Sequence, residues 1–300
     1  MSALALPFIT LLASVVNGAL GYGFSSITVP LALLFLTSRV LNPALVLIEL
    51  PLNAYVLWVN RAALPAVWRR VLPIVVGLAP GVAVGTLIVS EVQPGGLKLG
   101  TYLVLLPLIL LQASGYRRPI RSERRVGLAF GGGLGVLYAV TTISGPPLAV
   151  MLNNQGLAKG EFRAALGLVR LIESTLTAMA YLLVGLYTRE SLALVPQIVP
   201  SVVIGVPLGS LLIRRIHPET FRRVCMSFDA WVVSFGISAL LRDLQIVESH
   251  AAYFVMVAVI LIDAWLLYRF FSIAHSPGAH SPGSHAPLAQ VRAVRKETLT

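Results

Sequence analysis

Gly131 to Leu152 read GGGLGVLYAVTTISGPPLAVML. The stretch is apolar enough to enter a bilayer, yet it does not make one continuous helix. Glycines loosen its first turns, and Pro146-Pro147 remove two adjacent backbone donors near the middle. Ser144 stands directly before Gly145-Pro146-Pro147, where an N-cap and a first-turn proline belong. The pattern predicts a helix that enters the membrane, breaks around Thr141–Gly145 and restarts at Pro146. Backbone freed at membrane depth is tolerated only where it lines a cavity inside the protein. Transporters seat their substrates at such breaks.

The same pattern occurs once before. Gly18, Pro30, Leu31 and Ala32 recur as Gly135, Pro147, Leu148 and Ala149, an offset of 117 residues. Further along the offset is 124: Leu47-Ile48-Glu49 recurs as Leu171-Ile172-Glu173, Gly81 and Gly85 as Gly205 and Gly209, and Pro94 as Pro218. Seven extra residues in the loop after the second broken segment account for the change of offset. Matches this collinear mark a duplicated unit.

Composition sets the class. A mean hydropathy of +0.84, with 57% apolar and 12% charged residues, excludes an ordinary soluble domain. Apolar segments run at about 5–36 (broken), 44–60, 71–90, 97–115, 126–152 (broken), 162–187, 192–213, 219–241 and 251–272, which is the pattern of a polytopic helical membrane protein. The net charge of +11 does not point to nucleic acid, because the basic residues fall in loops between apolar segments, where membrane orientation accounts for them. Cys225 is the one cysteine, so no thiol pair is available for redox work, and it reads as a small apolar core residue. The opening MSALALPF has no positive n-region, and no cleaved signal peptide is expected. From 273 to 300 the composition changes. His275, His280 and His285 recur among Ser, Pro and Gly without sharing a helix face, so the segment reads as a disordered tail and not as a metal site.

Charge then orients the chain. If every apolar segment crosses once, Lys and Arg divide almost evenly between the two sides. If both broken segments are hairpins that leave on the side they entered, eighteen basic residues share one side and only Arg39, Lys98, Arg189 and Arg242 the other, with Arg170 left inside. The first group includes Arg61, Arg69, Arg70, the cluster from Arg117 to Arg125, Arg214, Arg215, Arg222, Arg223 and the tail. The positive-inside rule makes that side cytoplasmic. Each half then holds one re-entrant hairpin and three crossings, an odd number, so the halves are inverted. The expected fold is all-α and integral to the membrane: repeat 1 at 5–115, repeat 2 at 126–241, an additional crossing at 251–272 and a cytoplasmic tail at 273–300. Inverted repeats with broken helices are the architecture of secondary transporters.

A glycine-rich segment, a break, a proline and an apolar helix, repeated once in about 300 residues, resembles the sulfite exporter TauE/SafE family of membrane transporters. The resemblance covers roughly Leu6 to Leu241. It is clearest in the second half, where GGGLG precedes SGPP; the first half has GYGF and a single Pro30. It implies a multi-pass protein of the cell inner membrane that exports a small sulfur-containing anion such as sulfite or an organosulfonate.

The residues themselves suit that cargo. Restarted helices at about Ser26–Pro30 and Ser144–Pro147 would turn their N-termini, with unpaired N–H groups and partial positive charge, into the protein. Tyr22, Ser25, Ser26, Thr28, Tyr138, Thr141, Thr142 and Ser144 supply hydroxyls nearby; alternatively these hydroxyls only bond the freed carbonyls of their own helices. Glu49, Arg170, Glu173, Asp229 and Asp263 lie within apolar segments, where ionisable groups are costly and functional by default. Arg170 and Glu173, three apart, are placed to pair on one helix face, or Arg170 meets the substrate with its fork of donors. On the pairing view, Arg170 holds Glu173 charged and leaves Glu49 the more proton-labile of two carboxylates that carry coupling protons. Pro51 and Asn53 are expected to open the helix after Glu49. Gly81/Gly85 and Gly205/Gly209 read as close-packing pairs.

Four functions compete at this stage. A secondary transporter, with or without proton coupling, and an anion channel share the scaffold. An intramembrane enzyme lacks support, since no HExxH, GxSxG or Cys/His set is present. An assembly factor leaves the duplicated breaks and the Glu pair unexplained. Transport stands first, with a small anion and the bilayer as partners, no cofactor or metal expected, and the oligomeric state left open.

Overall fold

The computed structural model describes residues 2–113, 123–153, 157–212, 218–243, 245–247 and 250–274, and among these all regular structure is helical. The helices are α1 (Ser2–Leu20), α2 (Phe24–Ala32), α3 (Ser38–Val59), α4 (Leu64–Glu91), α5 (Pro94–Ala113), α6 (Glu123–Thr141), α7 (Gly145–Asn153), α8 (Lys159–Leu183), α9 (Arg189–Leu212), α10 (Pro218–Asp243) and α11 (Phe254–Ala274). Each of the nine apolar segments is a helix or a pair of helices about a break. The basic stretch at 117–122, Arg214, Arg215 and the tail from His275 lie outside the described residues, as does the Cys225 side chain.

Both breaks form, by different chemistry. Between α1 and α2, Gly21 (φ 85°) and Gly23 (φ 107°) take left-handed conformations that only glycine adopts without strain. Helix α2 restarts at Phe24, two residues before the expected Ser26, because Gly23 makes the turn on its own. Ser25 and Ser26 therefore lie in its first turn, and Pro30 sits inside the helix. At the second break the left-handed residue is Thr142 (φ 57°), a conformation that costs a non-glycine residue roughly 1–3 kcal/mol. Local hydrogen bonds hold it: Thr142 Oγ1 donates to the Thr141 carbonyl at 2.7 Å, and Thr141 Oγ1 accepts from the Ile143 N–H at 3.0 Å. Helix α7 then begins at Gly145, one residue before the expected Pro146. Helix α3, by contrast, runs unbroken through Pro51 and Asn53.

Packing repeats the duplication. Helix α4 lies along α6, and α1 lies along α9; α3 packs on α8, and α5 on α10. Exchanging the halves maps each of these pairings onto itself or its partner. The glycines make the long crossings close. A Cβ on Gly81 would overlap the Gly132 carbonyl and one on Gly85 would run into Val136, all on α6. On α1, Gly205 meets Ser14 and Val15, and Gly209 meets Val15 and Ala19. Val15 and Ala19 are the 117-offset counterparts of Gly132 and Val136, so the two crossings use corresponding residues.

The solvent pattern is that of a membrane protein. Large apolar side chains such as Val76, Leu87, Leu103, Met179, Leu183 and Val203 face outward, while Glu49, Arg170, Glu173 and Asp263 are buried. Among the described residues, five helical spans are long and apolar enough to cross a bilayer: Ser38–Val59, Arg61–Glu91, Gly160–Leu183, Arg189–Leu212 and Ala251–Ser272. Ala5–Leu20 and Val126–Thr141, the first limbs of the broken segments, are shorter apolar helices. Helices α5 and α10, read from the sequence as crossings, are not among the five. The chain divides into Met1–Asp263, which contains α1 to α10, and Ala264–Thr300. The described part of the second unit ends α11, with the Arg269 guanidinium 4.9 Å from the centre of the Trp265 ring.

Candidate functional site

Glu49 of α3 is fully buried, and three donors from three other helices converge on it. Ser25 Oγ of α2 donates to Oε1 at 2.6 Å, and Arg170 Nη2 of α8 donates to the same oxygen at 2.7 Å. Tyr138 Oη of α6 donates to Oε2 at 2.7 Å. The local sequence explains the convergence. The early restart puts Ser25 in the first turn of α2, and Tyr138 lies one turn before the second break. Asn53 of α3, whose Nδ2 lies 3.4 Å from the Arg170 carbonyl, helps tie α3 to α8. An ion pair this deep gains little over an apolar pair, but removing one partner typically costs about 3–5 kcal/mol.

Glu173 occupies the corresponding place in the second half and has different company. Ser144 Oγ, at the second break, donates to its Oε2, while Oε1 has no hydrogen-bond partner. The expected Arg170–Glu173 pair is therefore replaced by a pair across helices. Sharing a helix face puts Arg170 near Glu173, but packing of α3 on α8 puts the Glu49 carboxylate within reach of the guanidinium. The ranking built on that pairing falls with it: Arg170 is committed to Glu49, and Glu173 is the carboxylate without a cation bonded to it.

The remaining site candidates divide. Tyr22, in the first break, lies against Gly145, where a Cβ would stand 3.2 Å from the Tyr22 Cβ and ring, so the two breaks meet. Thr141 and Thr142 bond to backbone of their own break, as the structural alternative anticipated. Ser26 is buried in the first turn of α2. Thr28 is buried too, and its hydroxyl has no partner. Asp263 lies outside the cluster. It pairs with Arg223 at 2.9 Å and accepts from Trp231 Nε1 at 3.1 Å. Arg223, grouped by the charge count with the cations of the cytoplasmic side, is buried instead, because it pairs with Asp263. Asp229 is buried on α10. Asn42, which no sequence signal singled out, donates to the Val140 carbonyl at 2.7 Å just before the second break. Arg39 closes the far end of α4, donating to the carbonyls of Val89, Ser90 and Val92.

Three grooves on the protein surface are almost wholly apolar. They lie between α3, α8 and α9, between α3 and α9, and between α4, α5 and α6. Thr141 lines the last of these, about 350 Å³ in volume; Glu49, Arg170 and Glu173 line none of the three. Ser25, Glu49, Tyr138, Ser144, Arg170 and Glu173 are all buried, so one cation, two carboxylates and three hydroxyls are closed off from solvent where the breaks meet. No group of His, Cys, Asp and Glu among the described residues is arranged to hold a metal ion. The arrangement suits binding and release of an anion at a convergent donor set.

Residues 6–235 match the model of the family described as "Sulfite exporter TauE/SafE". The chain belongs to that family. TauE/SafE proteins are membrane transporters, and the matched range contains both breaks and every member of the polar cluster. A curated relative from Cupriavidus necator, named "Probable sulfite/organosulfonate exporter TauE", is 31% identical over 179 residues, covering 58% of this chain and 68% of that protein. No solved structure matches the chain.

Proposed function

We propose that this TauE/SafE protein is a secondary transporter that exports a small sulfur oxyanion, sulfite or an organosulfonate, across the inner membrane. The observation that carries the reading is the convergence of Ser25, Tyr138 and Arg170 on one buried point at the meeting of two broken helices. Guanidinium and hydroxyl donors at such a point match the oxygens of a sulfur oxyanion. The family membership and the name of the Cupriavidus necator relative support the same cargo. Tyr22, Ser26, Thr28, Thr141, Thr142 and Ser144 complete the lining; of the two counterpart carboxylates, Glu49 couples transport to protons and Glu173 holds Ser144 at the second break. The two halves, 5–115 and 126–241, are inverted repeats, each a re-entrant hairpin with three crossings, and 251–272 returns the tail at 273–300 to the cytoplasm.

Two experiments test this. Sulfite, thiosulfate, sulfoacetate and sulfate are offered to proteoliposomes, with and without a pH gradient. Saturable flux of at least one sulfur oxyanion, altered by the gradient, is expected; flux no greater than in empty liposomes would sink the reading. For topology, single cysteines at positions 120 and 190 are labelled from each side of the membrane. Labelling from the same side would reject the inverted arrangement.

A further inference from the structure

The donor set proposed for the substrate is already occupied, and its occupant is part of the protein. Ser25, Tyr138 and Arg170 all spend a hydrogen bond on the Glu49 carboxylate, at 2.6 to 2.7 Å. A buried carboxylate needs its charge paired and its lone pairs satisfied, and here the groups that do so are the donors an oxyanion would use. Arg170 Nε, beside this set, is buried with no partner at all. A guanidinium commonly engages an oxyanion through two N–H groups, and here one of the available donors is unspent.

We infer that Glu49 is a tethered stand-in for the transported anion, holding the donor set until the substrate displaces it and Glu49 takes up a proton. The inference rests on the transporter reading and specifies how its site is coupled. In the empty state Arg170 carries +1 and Glu49 −1. When a monoanion takes over Ser25, Tyr138 and Arg170, the displaced carboxylate has lost its cation inside the protein, where an unpaired charge is strongly disfavoured. It accepts one proton from the side to which the site is open. One anion and one proton enter together, the charge of the cluster is unchanged, and both leave together when Glu49 closes again on Arg170. The cycle is an electroneutral cotransport of anion and proton in the same direction, so export is driven by the outward gradient of the anion itself.

The groups that face Glu49 agree with this role. Tyr138 comes from α6, and Arg170 and Glu173 come from α8. Helix α2 has no charged residue. The charged residues of α4, α5 and α9, namely Arg69, Arg70, Glu91, Lys98, Arg189 and Glu190, are wholly or partly exposed near helix ends. No second cation on those helices is placed to take over Glu49 when the anion holds Arg170.

The test uses the full-length protein in lipid nanodiscs and methanesulfonate, a permanent monoanion with no proton of its own. Isethionate, another sulfonate monoanion without a titrating proton, takes its place if methanesulfonate does not bind. Calorimetric titration in two buffers of different ionisation heat gives the protons taken up per anion bound. The parent should take up about one proton near neutral pH and above, with Kd weakening about tenfold per pH unit there. Glu49→Gln should bind with no uptake and a flat pH profile, and Glu173→Gln should keep the parent's uptake. Binding without uptake in the parent overturns the inference, as does uptake that persists in Glu49→Gln or vanishes in Glu173→Gln. Should Glu49→Gln fail to fold, the parent and Glu173→Gln decide by themselves. Saturable sulfite flux without proton uptake removes this inference and leaves the transporter standing. Absence of both binding and flux for both anions removes both.

Discussion

Glu49 and Glu173 stand at corresponding positions of a duplicated chain, yet their surroundings differ. Each accepts a hydrogen bond from a serine beside the break of its own half, Ser25 for Glu49 and Ser144 for Glu173. There the likeness ends. Glu49 also holds Tyr138 and Arg170, both from the second half, whereas Glu173 has an oxygen with no partner. The counterpart of Arg170 in the first half is Val46, so only one cation exists for two carboxylates. The comparison teaches that matching positions need not be equivalent: with valine at 46 and arginine at 170, Glu49 is an ion-pair member and Glu173 accepts from the neutral Ser144.

The sharpest way to break this comparison is to remove the cation. Arg170→Met leaves Glu49 a buried carboxylate without its counter-charge, and a loss of about 3–5 kcal/mol is expected. Glu173→Gln keeps an acceptor for Ser144 and should cost about 1 kcal/mol. Thermal unfolding of the purified proteins checks both. Equal losses in the two variants would mean that the halves are not asymmetric in the way described.

A second substitution asks where the halves are the same. Gly85→Ala on α4 and Gly209→Ala, its counterpart on α9, each place a Cβ against the backbone of the crossing helix, so each should destabilise by about 1–3 kcal/mol. The two values should agree closely. Gly133→Ala, where a Cβ meets nothing within 4 Å, should instead be neutral or stabilise by up to about 1 kcal/mol. A large difference between Gly85→Ala and Gly209→Ala in the same unfolding assay would end the claim of matched crossings.

The smallest effects sharpen the contrast at the serines. Ser144→Ala removes the one hydrogen bond described for the Glu173 carboxylate, and about 1–2 kcal/mol is expected. Ser25→Ala leaves Glu49 its bonds to Tyr138 and Arg170 and should cost about 0.5–1 kcal/mol. Ser144→Asp sets a second carboxylate against Glu173 and should reduce sulfite flux well below that of Ser144→Ala, measured at matched protein levels. Should Ser25→Ala prove the more damaging alanine, the donors of Glu49 are not redundant.

Much of this was legible in the sequence because it is local or periodic. The apolar spacing marked all nine segments. Proline and glycine placed both breaks to within about two residues, and the offsets of 117 and 124 identified Glu49 and Glu173 as counterparts. The close-packing glycines were legible for the same reason, since a residue without a side chain is useful on a helix face mainly where another backbone approaches. What the chain by itself did not determine is which groups meet. Helical spacing allowed Arg170 to pair with Glu173, and only the packing of α3 on α8 delivered it to Glu49. Ser25, Tyr138 and Arg170 are far apart in the chain, and nothing in their spacing says that they share one carboxylate. Arg223 read as a loop cation because its partner Asp263 lies forty residues away on another helix. Periodicity records which face of a helix is apolar. The partner that a buried charge finds on that face depends on how whole helices cross, and that is settled by tertiary contacts alone.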